Sequence, residues 1–175
     1  VTSSGQPDRP GILVREALPA DYAAIGELTI AAYASVHPAD DDPEYLDELR
    51  DVAARVRCCT VFVAVDAASG TVLGSVTYIP GPGTPLSETE GDGEAGFRML
   101  AVEPSAQGRG VGRALVEACI ERARAEDKHR LVLLTLSTMT AARVLYERLG
   151  FRRAWRRDWH VSPTIDLQGY ELDLA

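Results

Sequence analysis

The chain is short of positive charge: 18 lysines and arginines stand against 26 aspartates and glutamates, a formal net charge of -8. Binding to nucleic acid or to an anionic membrane surface calls for a basic field, so the acidity argues against both as general partners. Long apolar runs are also missing. No stretch approaches the roughly 20 residues of a membrane span, and the N-terminus does not read basic-then-apolar as a signal peptide does, so a cytoplasmic protein is expected. Cysteine and histidine are scarce. Cys58 and Cys59 are adjacent, Cys119 falls in a helical pattern, and only His37, His129 and His160 accompany them. That spacing suits neither a disulfide framework nor a zinc site, and no metal is expected.

What is present is an ordinary globular composition, 46% hydrophobic and 25% charged over 175 residues, enough for one domain with a sizeable core. Residues 1–10, rich in Ser, Gly, Pro and Gln, read as a disordered tail, and 11–175 as a single domain. A strand is expected over Ile12 to Ala17. Asp21 is a candidate N-cap for a helix that carries Ala24, Ile25 and Leu28 at helical spacing and runs to about Ser35. From Asp40 to Glu48 the chain collects acidic residues around Pro43 and then turns helical to about Val56. This acidic run is a solvated face or a negatively charged lip for an amine.

Thr60 to Val65 and Thr71 to Ile79 form a hairpin across the turn at 67–70. Pro80 to Gly93, with three prolines and four glycines, reads as a long loop. Then come a strand over Glu94 to Val102, a helix from about Gly108 to Glu126, a buried strand over Arg130 to Leu136 and a helix over Thr140 to Leu149 ended by Gly150. Strands over Arg152 to Trp159 and Gly169 to Leu174 close the chain. Period 2 puts Trp155 and Trp159 on one face, toward the core, with a lesser option that one lines an acceptor pocket. Tyr33 and Tyr78 are further pocket candidates.

The stretch that organises this order is Met99 to Val116, an apolar strand leading through Pro104 and three glycines into an amphipathic helix. The first N–H groups of a helix have no intrahelical partner and carry partial positive charge, and glycine lets a phosphate approach them closely. A nucleotide P-loop would need Gly-Lys-Ser/Thr where this chain has Gly112, Arg113 and Ala114. A dinucleotide fingerprint starting at Gly108 would place its third glycine at Arg113, and the stretch lies mid-chain.

The hexapeptide Gln107-Gly108-Arg109-Gly110-Val111-Gly112 resembles the Gln/Arg-x-x-Gly-x-Gly/Ala pyrophosphate loop of the GNAT acyl-CoA acetyltransferase superfamily. Leu-Ala-Val-Glu-Pro precedes it. Ala142 to Phe151, with Tyr146 and Gly150, is similar to the family's Ala-x-x-x-Tyr-x-x-x-Gly-Phe signature. The resemblance covers about residues 12–174. It implies an α/β fold, a mixed and mostly antiparallel six- to seven-stranded sheet flanked by helices, with a splay between the two central strands. It also implies an N-acetyltransferase moving an acetyl group from acetyl-CoA to a primary amine by direct attack in a ternary complex, and it allows a homodimer.

On this resemblance Leu100, Ala101 and Val102 offer main chain to the pantetheine arm, while Gln107, Gly108, Arg109, Gly110, Val111 and Gly112 face the pyrophosphate with charge added by Arg109 and Arg113. Tyr146 is the expected general acid, since a phenol is protonated at neutral pH and can give a proton to the departing thiolate. The base is less clear. Family positions for a glutamate fall on Gly96 and Leu134, so Glu94, two residues before Gly96 on the same strand face, is the candidate, with Glu103 as a solvated residue and deprotonation through water left open. Met139 stands where many relatives have an asparagine, and Arg143 reaches either a CoA phosphate or Glu147. Those departures keep alive a second reading, a non-catalytic acyl-CoA-binding regulatory module. The acceptor is not named by the sequence.

Overall fold

The computed structural model describes residues 11–34, 43–162 and 165–174. The expected tail at 1–10 and the first acidic residues of the run, 40–42, lie outside them. The fold is mixed α/β. An open, mostly antiparallel sheet of eight strands has the order β1-β2-β3-β4-β5-β8-β6, with β7 on β8, and helices flank it. The strands are β1 (Ile12–Glu16), β2 (Thr60–Asp66), β3 (Val72–Ile79), β4 (Glu94–Val102), β5 (Arg130–Leu136), β6 (Arg152–Arg153), β7 (Trp159–Ser162) and β8 (Ile165–Asp173). The helices are α1 (Tyr22–Ala34), α2 (Pro43–Arg50), α3 (Val52–Cys58), α4 (Val111–Ala125) and α5 (Thr140–Arg148). None of the described helices is long and apolar enough to cross a membrane.

Contacts divide the chain into two compact units, Val1–Tyr78 with Met99–Ala118, and Ile79–Arg98 with Cys119–Ala175. In the first unit β1 pairs antiparallel with β2, and β2 with β3. The β-branched run of β2 is buried from Val61 to Val65, which is what a strand covered on both faces requires. Ile25 from α1, Val52 from α3 and Val61, Val63 and Val65 from β2 form the core there. Each such side chain contributes on the order of 1.5–3 kcal/mol. The single helix expected after the acidic run is two helices. Asp51 stands between them, outside helical geometry, and its carboxylate accepts the Ala54 N–H at 2.8 Å as the N-cap of α3.

In the second unit β5 pairs antiparallel with β8 along its whole length. It pairs in parallel with β4 only over Glu94↔Arg130, Ala95↔Leu131 and Gly96↔Val132. The strand expected over Arg152 to Trp159 is broken. β6 gives way to a 3-10 turn at Trp155–Arg157 before β7 begins, which raises the strand count to eight. The break removes the period-2 argument for the tryptophans: Trp155 is 74% exposed and Trp159 54% exposed, neither in the core. Trp155 instead lies under the Arg153 guanidinium, 4.1 Å from its ring centroid.

Candidate functional site

The glycine turn belongs to the first unit. β4 ends at Val102, the Glu103 N–H donates to the Leu73 carbonyl at 2.9 Å, and a 3-10 turn at Pro104–Ala106 leads to Gln107. Gly108 and Gly110 sit at φ of 75° and 88°, left-handed values that a helix cannot contain. For that reason α4 begins at Val111 and not at the expected Gly108. The Ala114 N–H makes a helical bond to the Gly110 carbonyl at 3.0 Å, leaving the amides of Val111, Gly112 and Arg113 in the first turn without intrahelical acceptors. A Cβ built on Gly108 would meet nothing within 4 Å, so open space lies beside this turn.

Buried residues hold the turn from both sides, Ala106 before it and Val111 after it. Gly74 on β3 sets how closely the helix start can settle. A Cβ there would lie 2.8 Å from Val111 Cγ1, 2.9 Å from the Ala101 carbonyl oxygen and 3.1 Å from Leu115 Cδ1. The two arginines differ little in commitment. Arg109 is half exposed with a guanidinium nitrogen 3.7 Å from Asp66, and Arg113 Nε donates to Glu117 at 2.6 Å one turn along. Upstream, Met99 has a φ of 55° inside β4, a left-handed value rare for a side chain of this size and a local break in strand geometry.

The Ala142 to Phe151 segment belongs to the second unit. Gly150, at φ 93°, ends α5 in a reversed turn in which the Phe151 N–H donates to the Tyr146 carbonyl at 3.0 Å and the Gly150 N–H to that of Glu147 at 3.1 Å. This closure turns Phe151 back against Tyr146, whose ring also packs edge-on to Phe97 and beside Tyr170, at centroid distances of 5.8 to 6.3 Å. The motif therefore fixes a buried tyrosine in an aromatic cluster. Arg143 donates to Gln168 at 3.3 Å and not to Glu147, one of its two expected partners, and Tyr78 is fully buried, which removes it as a pocket wall. Tyr33 packs edge-on to Tyr45.

Glu94 does not suit the role of general base. It is 5% exposed and accepts from Arg157 Nη2 at 2.5 Å, from Arg130 Nη1 at 3.4 Å and from the Glu90 N–H at 2.9 Å. Burial pushes its carboxyl up, but the Glu90 N–H and the two guanidinium groups outweigh that and hold it below the ordinary carboxylate range. A carboxylate so occupied is a poor proton acceptor and a good structural anchor.

The same unit contains a cleft of about 300 Å3. Leu134 from β5 and Trp159 line it, together with Ser87 and Glu88 from the loop before β4, a loop whose role the sequence left undefined. Glu88 carries no motif in the sequence. Its side chain is 15% exposed and its carboxylate faces Arg98 Nε at 3.3 Å. Burial raises its proton affinity above the ordinary carboxylate value, with Arg98 opposing the shift. No group of three or more His, Cys, Asp or Glu suited to a metal occurs among the described residues.

The acetyltransferase (GNAT) family profile matches residues 22–151, about three quarters of the chain. The chain belongs to the GNAT family. A GNAT structure from Kribbella flavida superposes with a TM-score of 0.74 at 30% identity, covering 94% of this chain and 99% of its own. A Salmonella typhimurium structure solved with its cofactor acetyl-CoA superposes at 0.66 with 25% identity, over 94% of this chain and 95% of its own. Among curated relatives, a phosphinothricin N-acetyltransferase of Streptomyces coelicolor is 31% identical over 139 residues, 72% of this chain and 75% of that protein. A mycothiol acetyltransferase of an Arthrobacter strain is 42% identical over 65 residues, 37% of this chain but only 20% of that protein. The matched stretches thus span about a fifth of the mycothiol enzymes. They span about half of the L-methionine sulfoximine/L-methionine sulfone acetyltransferase of Pseudomonas aeruginosa, which is 38% identical over 91 residues.

Proposed function

We propose that this GNAT chain is an acetyl-CoA-dependent N-acetyltransferase whose acceptor is the primary amine of a small molecule. The observation that carries the reading is the turn at 107–110. Two left-handed glycines, with open space beside Gly108, lead into the α4 amides that lack intrahelical acceptors, a main-chain cradle suited to a pyrophosphate. The acceptor class is supported by the phosphinothricin N-acetyltransferase and the L-methionine sulfoximine/L-methionine sulfone acetyltransferase to which the chain is similar. Acetyl-CoA supplies an acyl carbonyl already activated on a thiol leaving group.

The chain's own residues do the rest. Gln107 to Gly112 donate main-chain N–H groups to the pyrophosphate, Arg109 and Arg113 add charge, and Leu100, Ala101 and Val102 pair by main chain with the pantetheine arm as an added strand would. Tyr146 holds a phenolic proton for the departing thiolate. Its aromatic packing fixes the ring, which is the pre-organisation such a transfer needs. Glu94 locks the segment at 155–157 to the start of β4 through Arg157 and takes no part in proton transfer.

Thiol release from acetyl-CoA over a panel of amino acids, polyamines and aminosugars tests the activity, with calorimetry of CoA binding alongside. Release that depends on one amine class supports the enzyme. Tight CoA binding with no amine acetylated refutes it and leaves an acyl-CoA-binding module. Gly110→Val, which places a β-branched side chain at a φ of 88°, is expected to weaken CoA binding tenfold or more; unchanged affinity would refute the cradle.

A further inference from the structure

We propose that the cleft of the second unit receives the acceptor amine and that Glu88 is the general base that takes its proton. This rests on the acetyl-transfer reading above. An ammonium cannot attack a carbonyl until it loses a proton, so the site needs an acid side chain that is reachable, not already neutralised by several cations, and willing to hold a proton.

The cleft offers three carboxylates, and two fail on geometry. Asp158 is gripped by both terminal nitrogens of Arg153 at 2.6 Å and accepts the Gly169 N–H at 3.1 Å, contacts that hold it below the ordinary carboxylate range. Glu90 is 61% exposed, a solvated group whose charge water already stabilises, with Arg157 Nη2 at 3.5 Å. Glu88 differs from both. It is largely buried, and the cation that faces it is Arg98, with Nε at 3.3 Å.

The cations of the cleft are committed elsewhere. Arg157 is held by Glu94 at 2.5 Å and by Glu171 at 3.3 Å, and Arg156 donates to Glu171 at 2.5 Å. Arg157 Nη1 has no hydrogen-bond partner among the described residues, but neither guanidinium is paired with Glu88, and Glu94 and Glu171 offset their charge toward an incoming ammonium. Trp159 and Leu134 add apolar wall beside the carboxylate, so an amine entering there meets an acid in a partly dehydrated setting. The raised proton affinity that burial gives Glu88 moves it toward what a base for an ammonium requires.

The proton ledger closes. The acceptor ammonium gives one proton to Glu88, and its nitrogen lone pair then forms the C–N bond as the C–S bond breaks. The thiolate takes a proton from Tyr146. The second amine proton restores Tyr146 through water, and Glu88 releases its proton to solvent, one proton per turnover.

The experiment compares wild type, Glu88→Gln and Glu88→Asp, using acetyl-CoA and the panel amine that wild type turns over fastest. The readouts are kcat/KM against pH, CoA affinity by calorimetry and the melting temperature. Glu88→Gln is expected to lower kcat/KM by about 10²-fold or more at CoA affinity within twofold. It should also erase an acidic limb that wild type shows above the ordinary carboxylate range, while any limb due to the amine itself stays. Glu88→Asp, one methylene shorter, should fall about tenfold and keep the limb. If Glu88→Gln does not fold, the Asp variant decides: unchanged kcat/KM overturns the assignment. A Gln variant within threefold of wild type, or with the limb intact, overturns Glu88 while leaving acetyl transfer standing. Wild type that binds CoA and acetylates no amine overturns both.

Discussion

Replacing Gly74 by alanine adds one carbon atom at the place where α4 rests on β3. That carbon would sit 2.8 Å from Val111 Cγ1, 2.9 Å from the Ala101 carbonyl oxygen and 3.1 Å from Leu115 Cδ1. Carbon atoms pack at about 3.5–4.0 Å, so the Val111 contact is short by roughly 0.7 Å and the Leu115 contact by roughly 0.4 Å. Leu115 can turn a terminal methyl away. Val111 is branched at Cβ and buried, and the carbonyl is main chain, so relief there comes from moving the start of the helix. Overpacking of this kind costs about 1–3 kcal/mol, and the lower unfolded-state entropy of alanine returns about 0.4–1. The net expectation is a loss of about 1–2 kcal/mol in urea unfolding. Because the displaced turn carries the amides proposed to hold the pyrophosphate, CoA affinity should fall about tenfold, which is about 1.4 kcal/mol. Gly91→Ala is the control, since a Cβ there meets nothing within 4 Å and its backbone is not left-handed. Gly74→Ala with wild-type stability and CoA affinity would refute the claim that this contact positions the helix.

Tyr146→Phe should lower kcat on the order of 10²-fold with CoA affinity unchanged, because the hydroxyl is removed and the ring remains; steady-state kinetics with full kcat retained would exclude it as the acid. Glu94 contributes to the pH dependence of stability with a definite sign. Its carboxyl is held below the ordinary range in the folded chain, so its contribution is complete above the unfolded carboxylate pKa and is lost as pH falls through the folded value. Glu94→Gln leaves Arg157 buried without its nearest anion and should cost about 3 kcal/mol at neutral pH. The same variant should flatten the acid limb of a stability-against-pH curve, and a limb as steep as wild type would count against the assignment.

The backbone path of the glycine turn was legible because its residue types are dictated by conformation. Only glycine readily occupies the φ values found at 108 and 110, and Gly150 ends α5 for the same reason, so the spacing of glycines carries the backbone path. What the spacing does not carry is which glycines are left-handed, and the start of α4 is therefore displaced from Gly108 to Val111. The tryptophans were misplaced because alternation is informative only within a strand, and Trp155 lies in a 3-10 turn. Glu94 read as a candidate base because its main partner, Arg157, is 63 positions away and reaches it only through the fold. Glu88 left no signal at all. A single glutamate in a loop rich in proline and glycine is ordinary, and only the folded loop shows it turned inward against Arg98.

The left-handed turn at 107–110 also bears on how such a chain can diverge. Its proposed main-chain contacts are amide groups that every residue except proline possesses, so position 107 can exchange its side chain without altering them, and a change at Arg109 removes only the added charge. Glycines 108 and 110 have no such latitude, since nearly every replacement is strained at their φ. On the proposed reading, donor recognition is insulated from side-chain drift, while the proposed acceptor cleft, lined by Glu88, Leu134 and Trp159, is open to it. Variants of this protein should change what they acetylate far more readily than what they acetylate with.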